Sequence, residues 1–108
     1  MWSTTLPTLD ELIGTGDITA DNVHEVVFEA SRKVLPDGHV YTLHAELEGM
    51  ALSPVMQCLL AGWQAAGDTL GALRDSCASL DRAALPTRQV AWGEVPGRSG
   101  VLALQGTA

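Results

Sequence analysis

Positive charge is what this chain of 108 residues has least of: 6 Lys and Arg stand against 13 Asp and Glu, for a net charge of -7. A protein that reads nucleic-acid phosphates needs clustered Lys and Arg, so no nucleic-acid partner is expected. The only two cysteines, Cys58 and Cys77, lie outside any Cys-x-x-Cys spacing and inside helical patterns, which predicts two buried free thiols. Met1-Trp2-Ser3-Thr4-Thr5 has neither the basic nor the apolar region of a signal peptide. The longest apolar stretch, 55–66, is too short and too often interrupted to span a bilayer. By elimination, these absences predict a cytoplasmic protein with no membrane span. Phosphate loops, dinucleotide fingerprints, zinc spacings and Gly-x-Ser-x-Gly elbows are also missing, so no cofactor is expected and no catalytic set stands out.

What is present describes one small domain over 1–108. Hydrophobic residues make up 46% of it and charged residues only 18%, below the usual quarter. Part of the exposed surface is therefore apolar, and a contiguous apolar patch would mark a partner. The acidity is confined to the first half. Residues 1–50 hold Asp10, Glu11, Asp17, Asp21, Glu25, Glu29, Asp37, Glu46 and Glu48 against Arg32 and Lys33, whereas acids and bases balance in 51–108.

Thr8-Leu9-Asp10-Glu11 fits a capping box, and Gly14-Thr15-Gly16 stops the short helix that it opens. Thr19 opens a second helix, with Ile18 and Val23 at hydrophobic-staple spacing. Val23, Val26, Val27, Ala30 and Val34 form its apolar stripe. Glu29 can pair with Arg32 and Lys33, and Pro36-Asp37-Gly38 ends the helix. Segment 39–48 fits two periods. Tyr41, Leu43, Ala45 and Leu47 alternate as in a strand, while Val40, Leu43, Leu47 and Met50 also make a helical stripe; the Val-Tyr-Thr run tips the choice to strand. Ser53-Pro54 starts a third helix. Its apolar phase runs through Val55, Leu59, Trp63, Ala66, Leu70, Leu73, Cys77, Leu80 and Ala84. One long helix is the first expectation, and a break at Gly67-Asp68 giving a helical hairpin is the second. Val90 and Trp92, the loop 96–100 and the run 101–105 make a hairpin pattern. The fold class expected is α+β and predominantly helical, with a C-terminal β-hairpin and a possible third strand at 39–48. The alternative is an all-α helical bundle.

Two residue groups are candidate sites. His44, Glu46 and Glu48 share one face of a strand, and one imidazole with two carboxylates can hold a divalent metal; the same residues also make the polar side of an ordinary amphipathic element. Gly67 and Gly71, four apart on the expected helix, allow close approach of another backbone, and Met56, Leu60 and Trp63 extend that line into an association surface. A helix apolar over much of its circumference is buried on more than one side, and a partner chain can supply the second. His24 falls at the edge of the second helix's stripe, and His39 follows a turn where solvent exposure is expected.

The stretch 59–84, with Trp63 ahead of a long Ala/Leu-rich helix, resembles the second helix of small WXG100-like secreted helical proteins of actinobacteria. That resemblance implies a helical hairpin and export. Trp63 is followed here by Gln64 in place of the family's x-Gly, Pro36-Asp37-Gly38 interrupts the first helix, and the secretion signature is absent. The function expected is protein–protein interaction or assembly, by self-association or with a protein partner. The alternatives are a small enzyme or ligand-binding domain using His44, Glu46 and Glu48, and a WXG100-like secreted protein.

Overall fold

The computed structural model describes residues 5–107, which form two compact units, 5–69 and 70–107. Helices and an antiparallel hairpin are both present, so the fold is a small mixed α+β one and the all-helical alternative does not apply.

In the first unit, α1 is a single turn, Leu9–Leu12, that buries Leu9. The capping box is only half realised. Thr8 takes the extended backbone of an N-cap, but Glu11 N–H bonds to its carbonyl (3.2 Å), and the buried Thr8 hydroxyl has no hydrogen-bond partner. Gly14 and Gly16, with φ of 90° and 57°, turn the chain through a conformation that a side chain would resist. Gly14 N–H then bonds to the Ile18 carbonyl across the loop.

The start at Thr19 is reciprocal. Thr19 N–H donates to Asn22 Oδ1 (2.8 Å), and Thr19 Oγ1 accepts from Asp21 N–H (3.3 Å). Regular helix α2 follows over Val23–Ser31 and buries Val23 and Val27. Val34 lies beyond its end and is exposed, so the expected stripe is a turn shorter than its spacing allowed.

Segment 39–48 is neither strand nor helix. Residues 39–44 have no regular structure, and Leu47–Ala51 winds into a π-type turn interrupted at Met50, whose backbone is not helical. The third strand therefore does not form. What holds this segment is side-chain bonding, not a ladder. Thr5 Oγ1 accepts from Val40 N–H and stands 2.9 Å from His39 Nδ1, while His39 Nε2 reaches the Lys33 carbonyl. A carbonyl can only accept, so Nε2 carries a proton and donates to it. His39 is thus half-buried with both ring nitrogens engaged, not solvent-exposed as its turn suggested.

Helix α3 spans Ser53–Ala65, has Pro54 in its first turn, and buries Val55, Leu59 and Trp63. Together with Leu6, Leu9, Val23 and Val27 these make the core. The long helix stops here. Gly67 (φ 80°) donates to the Gln64 carbonyl and Asp68 N–H to the Trp63 carbonyl, a Schellman closure that requires the left-handed conformation glycine adopts freely. The apolar phase continues past Gly67 in the sequence, but the backbone does not.

In the second unit, α4 is Leu73–Ala78 and buries nothing. The Asp81 carboxylate caps a 3-10 turn, Arg82–Ala84, by accepting from Ala83 N–H. Strands β1 (Val90–Gly93) and β2 (Leu102–Gln105) then pair antiparallel, Val90 with Gln105 through Gly93 with Leu102. Trp92 and Val90 share one face with Ala103. Leu104 folds over Gly93 on the other, where a Cβ would stand 2.8 Å from its Cδ1. The helical hairpin implied by the WXG100-like resemblance is not what residues 53–107 form.

The cysteines correct a further expectation, since both are exposed. Cys58 sits about 100° around α3 from the buried stripe, and Cys77 belongs to a helix that buries no residue. Leu59→Ala is expected to cost about 2–5 kcal/mol in chemical denaturation, and Cys58→Ala, next to it, under about 0.5 kcal/mol. Equal losses would mean that α3 buries a different stripe.

Candidate functional site

The best-defined polar cluster of the first unit is built around Glu48, which is 4% exposed. The π-type turn points its carboxylate back along the irregular segment. There Glu48 Oε1 accepts from the Tyr41 hydroxyl (2.8 Å) and Oε2 from His44 N–H (2.9 Å). A buried carboxylate needs donors on both oxygens, and this one has them. The Tyr41 ring packs edge-on against Trp63, with centroids 5.8 Å apart. Trp63 Nε1 donates to Ser31 Oγ (2.9 Å), and that hydroxyl donates to the Phe28 carbonyl. One line of contacts therefore joins α2, α3 and the segment between them.

Burial raises the Tyr41 pKa well above the ordinary tyrosine range, and the Glu48 hydrogen bond and the Glu48 and Asp10 charges add to the shift. All four effects penalise a phenolate.

Of the expected metal set, Glu48 is turned inward and Glu46 is exposed. His44 is half-buried, with Nδ1 3.9 Å from Asp10 Oδ1. The alternation that put these three on one face required a strand, and no strand forms. Among the described residues no three His, Cys, Asp or Glu side chains stand together as a metal site.

The expected association line is also divided. Trp63 is buried in its own unit and Met56 is half-buried against the core, while Leu60 is exposed. Gly67 closes α3, and Gly71 lies beyond its end. Their four-residue spacing therefore does not place them on one helical face.

The expected pairing of Glu29 with Arg32 and Lys33 is not made. Arg32 lies over the Phe28 ring, 4.4 Å from its centroid, and pairs with Asp68. Asp68 was not legible as its partner, because 36 residues separate the two and only the closure at Gly67 brings Asp68 around. The Tyr41–Glu48 pair was missed for a similar reason: a seven-residue spacing across irregular backbone has no local template. Among the described residues no helix is long and apolar enough to cross a membrane.

No protein-family model matches the chain. Over 57 residues it is 42% identical to a Shewanella sediminis (strain HAW-EB3) protein described as "Probable 4-deoxy-4-formamido-L-arabinose-phosphoundecaprenol deformylase ArnD". The match covers 52% of this chain and 18% of that protein, so the chain spans less than a fifth of this relative's length.

Tyr41 is the only tyrosine, so tyrosinate absorbance reports this cluster alone. Its folded pKa lies above the unfolded value. The stability it contributes is therefore complete below about pH 10 and is lost progressively as pH rises further, because the unfolded chain ionises first. Alkaline titration is expected to show no tyrosinate in the folded protein near pH 10, and Tyr41→Phe is expected to flatten the loss of stability above it. A phenolate forming near pH 10 without unfolding would contradict the Tyr41–Glu48 bond. Glu48→Gln leaves one of the two donors facing an amide N–H2, and is expected to cost about 1–3 kcal/mol in denaturant titration.

Proposed function

We propose that this chain is a protein-association module whose C-terminal unit is completed by apolar surface from another polypeptide, first of all a second copy of itself. The observation that carries this reading is the exposure of residues 70–107. None of them is buried, although Leu70, Leu73, Leu85, Val90, Trp92 and Val101 are large and apolar. Trp92 is 72% exposed and Val90 68%, on the same face of the hairpin. A two-stranded hairpin is marginal in water without a third strand or a packing surface, and its unpaired edges are templates for further pairing. A symmetric dimer that places the Val90–Trp92 face of one copy on that of the next covers these side chains with a single self-complementary patch.

A second reading is supported by the similarity to the Shewanella protein, whose name describes a deformylase. It makes this chain a part of such an enzyme, and formate release from a formamido sugar is its readout. Less favours it, because the one buried acid, Glu48, is committed to Tyr41 and to the His44 backbone.

Light scattering on the size-excluded protein is expected to give twice the chain mass or more, and Val90→Ser/Trp92→Ser to return it to the monomer. A monomeric native chain that resists proteolysis across 70–107 would contradict the association reading.

A further inference from the structure

We propose that the groove between α2 and α3 is a docking site for a basic amphipathic helix of a protein partner, a surface separate from the hairpin. It has a volume of about 410 Å³ and is lined by His24, Glu25, Phe28 and Glu29 from α2 and by Cys58 and Gly62 from α3. On its floor α3 presents a glycine to an aromatic ring. A Cβ at position 62 would stand 3.2 Å from two ring carbons of Phe28. With no side chain at Gly62, the Phe28 ring packs directly against α3 and contributes to the apolar floor of the groove.

The α2 wall carries two exposed carboxylates one turn apart, Glu25 and Glu29. Neither takes part in any of the ion pairs formed among the described residues. No cation of the unit forms an ion pair with them. Arg32 is held by Asp68 and the Phe28 ring, and residues 5–69 contain no other basic side chain except Lys33 and the three histidines. The same stretch holds ten carboxylates. An apolar floor beside a negative, unpaired wall is complementary to an occupant that is apolar on one side and cationic beside it.

The shape of the groove decides between a small cation and a helix. A small-molecule site encloses most of its ligand, whereas this groove is open to solvent over much of its surface. A helix laid along it lowers apolar side chains at i and i+4 onto Phe28 and Gly62, and brings Lys or Arg one turn apart to Glu25 and Glu29. The exposed Cys58 thiol at the groove wall is covered in the same step.

The test uses the full chain carrying Cys77→Ser, which leaves Cys58 as the single thiol. The probe is a fluorescein-labelled synthetic helix with leucines on one face and lysines on the other. Binding is read by anisotropy, and groove occupancy by the rate of Cys58 alkylation with N-ethylmaleimide. The expected result is saturable binding that slows alkylation in proportion to the fraction bound. Glu25→Gln/Glu29→Gln is expected to weaken binding about tenfold, as for two interfacial ion pairs. Asp37→Asn/Glu46→Gln removes the same charge outside the groove and is expected to leave binding within about twofold, since distant exposed charges are largely screened. Equal weakening by both pairs, binding that leaves Cys58 unprotected, or no binding would each overturn the proposal. Protection of Cys58 by benzylamine but not by the peptide would overturn it in favour of a small-molecule site.

Discussion

A buried indole must place its N–H on an acceptor, and in residues 5–69 that requirement ties the helices to the irregular chain between them. Trp63 enters the core one turn beyond Leu59 and donates to Ser31 Oγ at the last residue of α2. Its ring then offers an edge-on partner to Tyr41, and the Tyr41 hydroxyl in turn occupies one oxygen of Glu48. Each group in this line is buried or half-buried, and each would be costly without the next. The line also explains how a segment without secondary structure keeps a defined path: its anchors are side-chain hydrogen bonds.

The two units use their apolar residues differently. In the first, α2 and α3 put Val23, Val27, Val55 and Leu59 into one interior. In the second, helices of one or two turns and two four-residue strands are too small to enclose Leu73, Leu85, Val90 or Trp92. The first unit carries the negative charge and keeps Glu25 and Glu29 unpaired; the second is nearly neutral and presents apolar side chains. The two proposed docking surfaces therefore differ in chemistry, one resting on charge complementarity and one on apolar burial.

Local signals in the sequence suffice where local physics decides. The buried Val23 and Val27, the start at Ser53-Pro54 and the hairpin around 96–100 all follow from nearest-neighbour chemistry. Elsewhere distant contacts or a single backbone angle decide. Apolar spacing carries the helical phase through Leu70 and Leu73, but the left-handed turn at Gly67 ends α3 at the break named as the second expectation. Segment 39–48 satisfied two periods at once, and neither anticipated that Tyr41 and Glu48 would bond across seven residues. The same contact dissolved the His44, Glu46 and Glu48 set, because a carboxylate drawn inward to a phenol is no longer on the face that alternation assigned it.

The proposed dependence of residues 70–107 on a second chain is tested most directly by segment-resolved hydrogen exchange on the full protein over a range of dilutions. The expected result is that amides in β1 and β2 are protected in concentrated solution and lose that protection on dilution, while those of α2 and α3 keep theirs throughout. Hairpin protection that persists unchanged in the dilute monomer would contradict that dependence.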